Sequence, residues 1–351
     1  MSLGAARRSP RVERGWGRES SPFHEGEQRV QRRLGVRDQV ERGGRNMFRE
    51  QMPDQHRELF AALPWLVVGS LDARGHVWAS LLAGAPGFIR SPTPKLLQVH
   101  ARPLLGDPLA AQLELGMPLG MLGIQFETRR RNRANGRVVA RDAETFTVEI
   151  EQSFGNCKKY IQAREPLFDA ALAGASSAPR AEGPFLSERS RALLEHTDTF
   201  FIATASARPS VLPNDGSEGV DVSHRGGRPG FVRVQAGARA TRLTIPDFSG
   251  NFVFNTFGNL EVNPHAGIVC ADFASGDILS ITGSACAIWD GPELETFEGA
   301  DRLLAFEVES ALFFEHALPL RFQGFEPSRE ILETGTWAEA AENAANQSST
   351  S

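Results

Sequence analysis

The feature that most constrains this chain of 351 residues is an internal repeat. Residues 53–63 have the pattern of a helix and lead into an apolar strand at 65–71, and residues 189–196 and 200–205 repeat that pair. Residues 210–213 then begin the strand that returns from 200–205. The repeat period of about 135 residues is far longer than the unit of a solenoid. We therefore interpret the chain as a duplicated domain made of two small β-barrels.

Turn signals divide each half into short strands. Residues 72–75 have the composition of a hairpin turn, and 76–82 form the returning strand. Asn135-Gly136 predicts a second hairpin, because both residue types accept positive φ angles. The predicted fold class is all-β with peripheral helices, as two six-stranded, Greek-key split barrels in tandem.

The domain boundaries are predicted from shifts in composition, and the length fits two cores better than one. The predicted segments are a disordered tail at 1–20, an N-terminal split-barrel-like domain at 21–170, a linker at 171–184, a C-terminal split barrel at 185–335 and a flexible tail at 336–351. The linker is rich in Ala, Ser, Gly and Pro, which is typical of a flexible connection. Separately, Met47 is an alternative translation start.

Composition narrows the range of partners and compartments. The net charge of −5 argues against nucleic acid, because phosphate backbones select basic surfaces. The run Arg129-Arg130-Arg131 is interpreted as a solvated face. The sequence has no stretch of about 18 apolar residues, so we expect no membrane span. Three cysteines are too few for a disulfide framework; with Cys270 and Cys286 in apolar strands, we expect a reducing, cytoplasmic environment.

Several enzyme classes lack their motifs in this sequence. It contains no G-x-G-x-x-G after a strand, no phosphate-binding G-x-x-x-x-G-K-[ST], no H-E-x-x-H and no G-x-S-x-G. The eight histidines have no convincing metal-ligand spacing, so we predict no metal site. These absences argue against nucleotide-binding, zinc-protease and α/β-hydrolase functions.

Residues 221–232 are the first candidate site. Two glycines flanked by Ser223, His224 and Arg225 form a loop whose N–H groups, hydroxyl and guanidinium suit an anion. Arginine is apt because its planar fork matches phosphate oxygens. The alternative is a polar hairpin loop, since Gly-Gly and Gly-Arg-Pro-Gly are also turn compositions.

Residues 248–260 are the second candidate site. An aromatic strand runs into Asn255 and Thr256 and then Gly258 and Asn259, just before a helix-like segment. Asn, Thr and free N–H groups at a helix start suit an anion or an amide. The aromatic residues are alternatively part of the core.

Together these stretches resemble the FMN-binding split barrel of the pyridoxamine 5′-phosphate oxidase-like family. Residues 200–290 show its order of elements: a helix, a Phe-Ile-Ala-Thr-Ala strand, a polar strand, an aromatic strand ending in Asn-Thr, then Gly-Asn-Leu and Asn-Pro-His-Ala. Residues 221–232 resemble a form common in uncharacterised bacterial members. Residues 133–137 and 154–162 are similar to other elements of the group, so the resemblance covers most of the chain.

The resemblance implies FMN held between two barrels, with the cofactor in the second half. The cofactor contacts that we predict are Ser223, His224, Arg225, Gly226, Asn255, Thr256, Gly258, Asn259 and Arg321. No residue stands out as a catalytic acid or base. Cys157 is either a thiol near the flavin or part of a plain turn.

Two departures from the family pattern limit what it implies. The well-studied oxidase has a Ser-Arg-Lys triplet after its aromatic strand, whereas this chain has Gly258-Asn259-Leu260, which weakens the case for a pyridoxamine phosphate oxidase proper. Residues 82–88 of the first half carry no phosphate cluster, so that barrel is interpreted as a structural partner.

The predicted function is FMN-dependent oxidoreduction, with a small-molecule substrate and an electron donor such as a nicotinamide. The resemblance also implies a homodimer, and a deazaflavin is compatible with the same fold. The alternative is a non-catalytic protein that stores or senses flavin or haem, with His265 or His316 as the haem ligand.

Overall fold

The computed structural model describes residues 15–174, 177–206 and 216–348, so the strand predicted at 210–213 lies outside the described residues. The helices are α1 (Glu25–Arg33), α2 (Arg37–Met47), α3 (Asp54–Ala62), α4 (Leu109–Gln112), α5 (Glu188–His196), α6 (Asn255–Leu260), α7 (Pro292–Thr296), α8 (Arg329–Leu332) and α9 (Trp337–Ser348). The strands of the first half are β1 (Trp65–Leu71), β2 (Val77–Ala83), β3 (Ile89–Thr93), β4 (Leu96–Val99), β5 (Pro118–Gln125), β6 (Arg130–Arg141), β7 (Phe146–Gly155) and β8 (Ala163–Phe168). Those that follow are β9 (Arg180–Glu182), β10 (Thr199–Ala205), β11 (Val220–Gly226), β12 (Arg233–Ala236), β13 (Thr241–Phe248), β14 (His265–Ala271), β15 (Ile278–Ile288), β16 (Ala300–Phe314) and β17 (Leu320–Glu326).

The two large antiparallel sheets have the same strand order. The first is β2-β1-β5-β6-β7-β4-β3, and the second is β11-β10-β14-β15-β16-β13-β12, with β9 added beside β16. Matching β1 with β10 and continuing along the chain makes the two orders identical. The chain is therefore mostly β with helices at the periphery, as expected, and it carries one topology twice. No helix in the described ranges is long and apolar enough to cross a membrane.

The two halves share a core. Trp65 and Val67 of β1 pack in one buried cluster with Phe201 of β10 and Val222 of β11. The indole N–H of Trp65 donates to the carbonyl of Ile124 at 3.1 Å, so its only polar atom is satisfied inside that core. Strands β8 and β17, one after each large sheet, pair with each other and tie the halves together a second time.

Two glycines allow the sheets to touch backbone to backbone. A Cβ atom on Gly120 of β5 would collide with the carbonyl oxygen of Val220 in β11. A Cβ atom on Gly267 of β14 would lie 2.6 Å from the carbonyl oxygen of Val77 in β2. Since β14 matches β5 and β2 matches β11, these are the same contact made twice, and the halves are related by an approximate two-fold axis.

The hairpin predicted at Asn135-Gly136 is wrong. Both residues lie within the continuous strand β6, where the pairing with β7 shifts at that point. A Cβ atom on Gly136 would collide with the carbonyl oxygen of Glu149. The glycine therefore allows the backbones of β6 and β7 to approach closely at a β-bulge. Gly283 of β15 makes the matching contact with Glu307, also at a register shift.

Other stretches also differ from expectation. The part of the predicted C-terminal tail at 337–348 is helix α9, anchored by Trp337, whose ring lies 4.8 Å from that of Phe297. At the N-terminus, Trp16 is buried in an aromatic cluster, while residues 1–14 lie outside the described chain. Cys270 is buried as predicted, whereas Cys286 is exposed.

We predict that Gly120→Ala and Gly267→Ala each lower the free energy of unfolding by about 1–3 kcal/mol, because a methyl group in a close-packed contact forces backbone to shift. Chemical denaturation followed by far-UV circular dichroism measures the change. Gly43→Ala is the matched control, since its Cβ atom would meet nothing within 4 Å on helix α2. Unchanged stability in both variants would mean that the sheets do not pack through these glycines.

Candidate functional site

A cleft opens between the two halves. Its walls come from β6 and residues 156–160 in the first half, and from β11, β13, the loop at 249–254, α6 and β16 in the second. Its empty volume, including the part open to solvent, is about 890 Å³.

Positive charge is concentrated on the wall of this cleft. Five cationic side chains line it, namely Arg131, Arg133, Lys159, Arg225 and Arg302. Two carboxylates, Asp247 and Asp301, lie among them. This local excess of cations occurs in a chain whose net charge is −5, so it is specific to the cleft. Such an arrangement attracts an anionic ligand.

Arg225 and Arg302 are held together by one buried carboxylate. Asp247 accepts a hydrogen bond from each guanidinium, one on each of its oxygens. Burial, and then the neighbouring Arg302, lowers the pKa of Arg225 to about 9. The Arg225 guanidinium also lies 5.5 Å from the centre of the Phe257 ring, and that of Arg302 lies 5.1 Å from the Phe254 ring. Both groups are thereby held in place beside the cleft.

Arg133 is the centre of a buried hydrogen-bond network. Its Nη1 donates to Asp221 at 3.2 Å and to Asn255 Oδ1 at 2.5 Å, and its Nη2 donates to Ser223 Oγ at 2.5 Å. The hydroxyl of Thr256 donates to Ser223 at 2.9 Å. The side chains of Ser223, Asn255 and Thr256 are therefore engaged in hydrogen bonds with Arg133 or with one another.

Arg131 approaches the cleft without a carboxylate partner. Its guanidinium donates to the carbonyl of Cys157 at 2.9 Å, to the Cys157 Sγ at 3.3 Å and to Nδ1 of His224 at 3.0 Å. Within the described part of the chain, neither Arg131 nor Lys159 has an ion-pair partner. These two side chains carry the uncompensated positive charge of the site.

The ring of His224 is neutral and accepts a hydrogen bond in this arrangement. Because arginine only donates, Nδ1 of His224 must accept, and the ring proton then lies on Nε2. Burial, and then the positive charges of Arg131 and Arg225, lowers the pKa of His224 well below its usual range. No partner for Nε2 is found among the described residues.

Backbone strain is concentrated at the same cleft. Five non-glycine residues in the described ranges have positive φ angles, and three of them line it: Tyr160 (64°), Phe252 (59°) and Phe254 (65°). The Tyr160 hydroxyl donates to the carbonyl of Ser249 at 3.1 Å, which joins the two loops. Left-handed conformations of bulky residues cost energy and cluster at ligand sites. The aromatic strand predicted before Asn255 is thus a strained loop that follows β13.

The structure brings six of the nine predicted contact residues to the cleft: Ser223, His224, Arg225, Gly226, Asn255 and Thr256. Gly258 and Asn259 lie behind it, where Gly258 packs on Glu27 and Asn259 bonds Thr204 and Asp221. Arg321 lies elsewhere, on β17, paired with Asp169 at 2.6 Å. The cofactor-binding role of all nine stays a prediction.

Sequence reasoning missed most of the cations. Arg131 was assigned to a solvated face, and that is wrong, because alternation along β6 turns Arg131 and Arg133 into the cleft. Arg130 points elsewhere and donates to the carbonyl of Gln55 at 2.6 Å. An Arg-x-Arg pair on one strand is the signal available in the sequence. Arg302 and Lys159 carry no such signal.

The place in the fold that the approximate two-fold axis relates to the cleft lacks the arginines of the cleft. When the strand pairings of the two sheets are aligned, Ala79 of β2 corresponds to Val222 of β11, and Asn135 of β6 corresponds to Thr282 of β15. Counting along the strands, Leu82 then stands where Arg225 does. In the same way, Ser280 corresponds to Arg133 and Ile278 to Arg131. At these three matched positions, only the cleft described above carries cations.

Comparisons with known proteins give structural neighbours only. No protein-family model and no curated protein matches the chain. The solved structures that resemble it include the H111A variant of HupZ from Group A Streptococcus, at 12% identity and a TM-score of 0.27, covering 36% of this chain and 98% of that one. A putative pyridoxamine 5′-phosphate oxidase from Lactobacillus delbrueckii has 13% identity and a TM-score of 0.28, covering 38% and 98%. The inhibitor of motility (MotI/DgrA) of Bacillus subtilis has 8% identity and a TM-score of 0.22, covering 70% and 87%. Similarities of this size do not establish a family.

We predict that His224 makes the folded protein less stable in acid. Its pKa is lower in the folded chain than the unfolded value of about 6.5, so the unfolded state binds the proton first as pH falls. The stability that the neutral ring contributes is present above pH ~6.5 and decreases below it, by up to about 1.4 kcal/mol per pH unit. Urea unfolding at pH 7.5 and pH 5.5 should show a smaller decrease for His224→Gln than for the unchanged protein. His196→Gln, at an exposed position on α5, is the control; an equal decrease in all three proteins would contradict the prediction.

Proposed function

We propose that this protein binds FMN in the cleft between its halves and acts as an FMN-dependent oxidoreductase. The observation that carries the proposal is the gathering of five cations and several aromatic rings in one cleft of an acidic chain. A phosphorylated aromatic cofactor needs both chemistries in one place. The resemblance of residues 200–290 to flavin-binding split barrels points to the same ligand.

The charge of the site fits a phosphate monoester. The five cations are opposed by Asp221, Asp247 and Asp301, and by Glu27 behind Arg133, while Arg131 and Lys159 have no ion-pair partner among the described residues and leave positive charge for a ligand. A phosphate monoester carries about −1.5 to −2 charges near neutral pH. Within the described residues, the buried Nε atoms of Arg133, Arg225 and Arg302 lack hydrogen-bond partners, so these guanidinium groups are not saturated by the protein.

Aromatic side chains supply the apolar part of the cleft. Tyr160 and Phe248 lie with ring centres 5.2 Å apart, and Phe252 and Phe254 lie 6.0 Å apart. These rings suit contact with a flat heteroaromatic ring. When bound, FMN supplies the hydride or electron transfer. The chain's own residues would hold the phosphate through Arg131, Arg133, Lys159 and Arg225.

The remaining elements of the proposal concern partners. We propose a small-molecule substrate and an electron donor such as a nicotinamide, with neither nucleic acid nor membrane as a partner, and a homodimer in the cytoplasm. No side chain is assigned as an acid or a base. A deazaflavin with a phosphate group would use the same cations, and chromatography of the bound molecule distinguishes it from FMN.

The haem alternative has less support from the site. His265 is half-buried beside His76, with ring centres 6.0 Å apart, and does not line the cleft. His316 is 71% exposed and also lies away from it. A Soret band in the purified protein would nevertheless favour haem over flavin.

We predict that the purified protein shows a flavin absorbance spectrum, or takes up added FMN, and that heat releases FMN. Arg131→Met and Arg225→Met should each weaken FMN binding about 10- to 100-fold, because each removes a charge-assisted hydrogen bond. Quenching of FMN fluorescence measures the affinity. Arg130→Met is the matched control, since its side chain leaves the same strand away from the cleft. A colourless protein that ignores added FMN would exclude the proposed function.

We also predict one FMN per chain rather than two. The position related to the cleft by the approximate two-fold axis has Leu82 and Ser280 in place of Arg225 and Arg133, so it offers no counter-charge to phosphate. Titration calorimetry with FMN gives the ratio directly. A ratio of two would show that the second position binds without cations.

A further inference from the structure

Helix α1 lies outside both repeats, because it precedes α3, the helix that opens the first repeat. It nevertheless packs directly on α6, which lines the cleft. A Cβ atom on Gly26 would collide with the carbonyl oxygen of Gly258, and a Cβ atom on Gly258 would lie 2.5 Å from Glu27 Cα. The two helices are therefore in backbone contact, which is a closer approach than side chains at those positions would permit.

This contact brings a carboxylate from α1 into the network around Arg133. Glu27 is 2% exposed, and its Oε1 accepts from Asn255 Nδ2 at 2.5 Å. Its Oε2 accepts from the backbone N–H of His24 at 3.0 Å, as part of a capping box at the start of α1. The amide oxygen of Asn255 accepts from Arg133 Nη1 at 2.5 Å. A continuous path of hydrogen bonds thus leads from α1 to a guanidinium on the cleft wall.

The orientation of the Asn255 amide depends on Glu27. An amide can present either its oxygen or its nitrogen to Arg133, and only the oxygen accepts a hydrogen bond. A carboxylate opposite the amide nitrogen selects that arrangement, because a carboxylate only accepts. Burial, and then Asp221, raises the pKa of Glu27, and the N–H groups of His24 and Asn255 that donate to its two oxygens oppose that shift by stabilising the ionised form.

The same N-terminal segment also holds the strained loop of the cleft. Gln31 on α1 donates to the carbonyl of Val253 at 3.1 Å. The Val253 side chain is buried in a cluster with Trp16, Phe23, Phe48 and Phe154. Val253 lies between Phe252 and Phe254, the two left-handed residues of the loop. The segment therefore contacts the cleft-lining residues at two separate points.

We propose that Glu27 is a positioning residue of the ligand cleft: it fixes the Asn255 amide, which in turn fixes Arg133 for an anionic ligand. This inference rests on the proposed function only in that the cleft binds a phosphate-bearing ligand. Glu27 itself does not touch that ligand. Its effect on affinity must then pass through Asn255 and Arg133.

A double-mutant cycle tests that path, with FMN as the probe and inorganic phosphate as a competitor. We expect Glu27→Gln to weaken FMN binding about tenfold, since a glutamine amide has a single oxygen and its NH₂ group cannot accept the second of the two hydrogen bonds. Arg133→Met should weaken binding at least as much. The double variant should bind no more weakly than Arg133→Met alone, because Glu27 has nothing left to position. Additive losses would overturn the proposal and leave Glu27 with a structural role only.

Two further variants separate positioning from folding. Glu25→Gln is the matched control on the same helix, where Glu25 pairs with Arg29 at the surface, and it should leave binding unchanged. Asn255→Ala removes the next member of the path and should reproduce the loss if Glu27→Gln does not fold, as judged by circular dichroism. If the unchanged protein binds FMN and both Glu27→Gln and Asn255→Ala bind equally well, the proposal is wrong. If the unchanged protein binds neither FMN nor phosphate, the proposed function fails first, and this inference fails with it.

Discussion

The site in this protein depends on close contact between the backbones of its two halves. At Gly120 and at Gly267, a strand of one sheet rests on the carbonyl of a strand from the other, with no side chain between them. This spacing buries Trp65 against Phe201 in one shared core, and it brings β6 of the first half beside β11 of the second. Without that contact, Arg131 and Arg133 would not share a wall with Arg225.

Holding several cations together is the main electrostatic cost of this arrangement. Burial disfavours each charged form, and like charges repel, so the pKa of Arg225 falls to about 9. Carboxylates relieve part of that cost: Asp247 bridges Arg225 and Arg302, and Asp221 pairs with Arg133. The charge that is left, on Arg131 and Lys159, is what an anionic ligand would neutralise. Three left-handed residues at the same cleft add backbone strain, and the packing of residues 15–47 on the loop at 249–254 maintains it.

A repeated architecture carries one asymmetric site in this protein. The two sheets share their strand order, their bulge glycines Gly136 and Gly283, and their interface glycines. At the matched site positions, however, arginine in one half corresponds to leucine, serine or isoleucine in the other. The related half therefore offers no charge at these three positions, and it remains part of the fold. Helix α1 adds to this asymmetry, because it lies outside both repeats and packs on α6 of the second half.

The sequence by itself determined the features that follow from local pattern. It predicted the helices near 53–63 and 189–196, the alternation of strands, the repeat, and the stretch at 221–232 that does reach the cleft. These follow from residue type and short-range periodicity. It misassigned Asn135-Gly136, because a glycine that permits a β-bulge looks the same in sequence as one that permits a turn. It also could not place Arg131, Arg302, Lys159 or Glu27, which come from four distant parts of the chain. Only the tertiary structure decided which charges meet, since that depends on how two sheets and one added helix pack together.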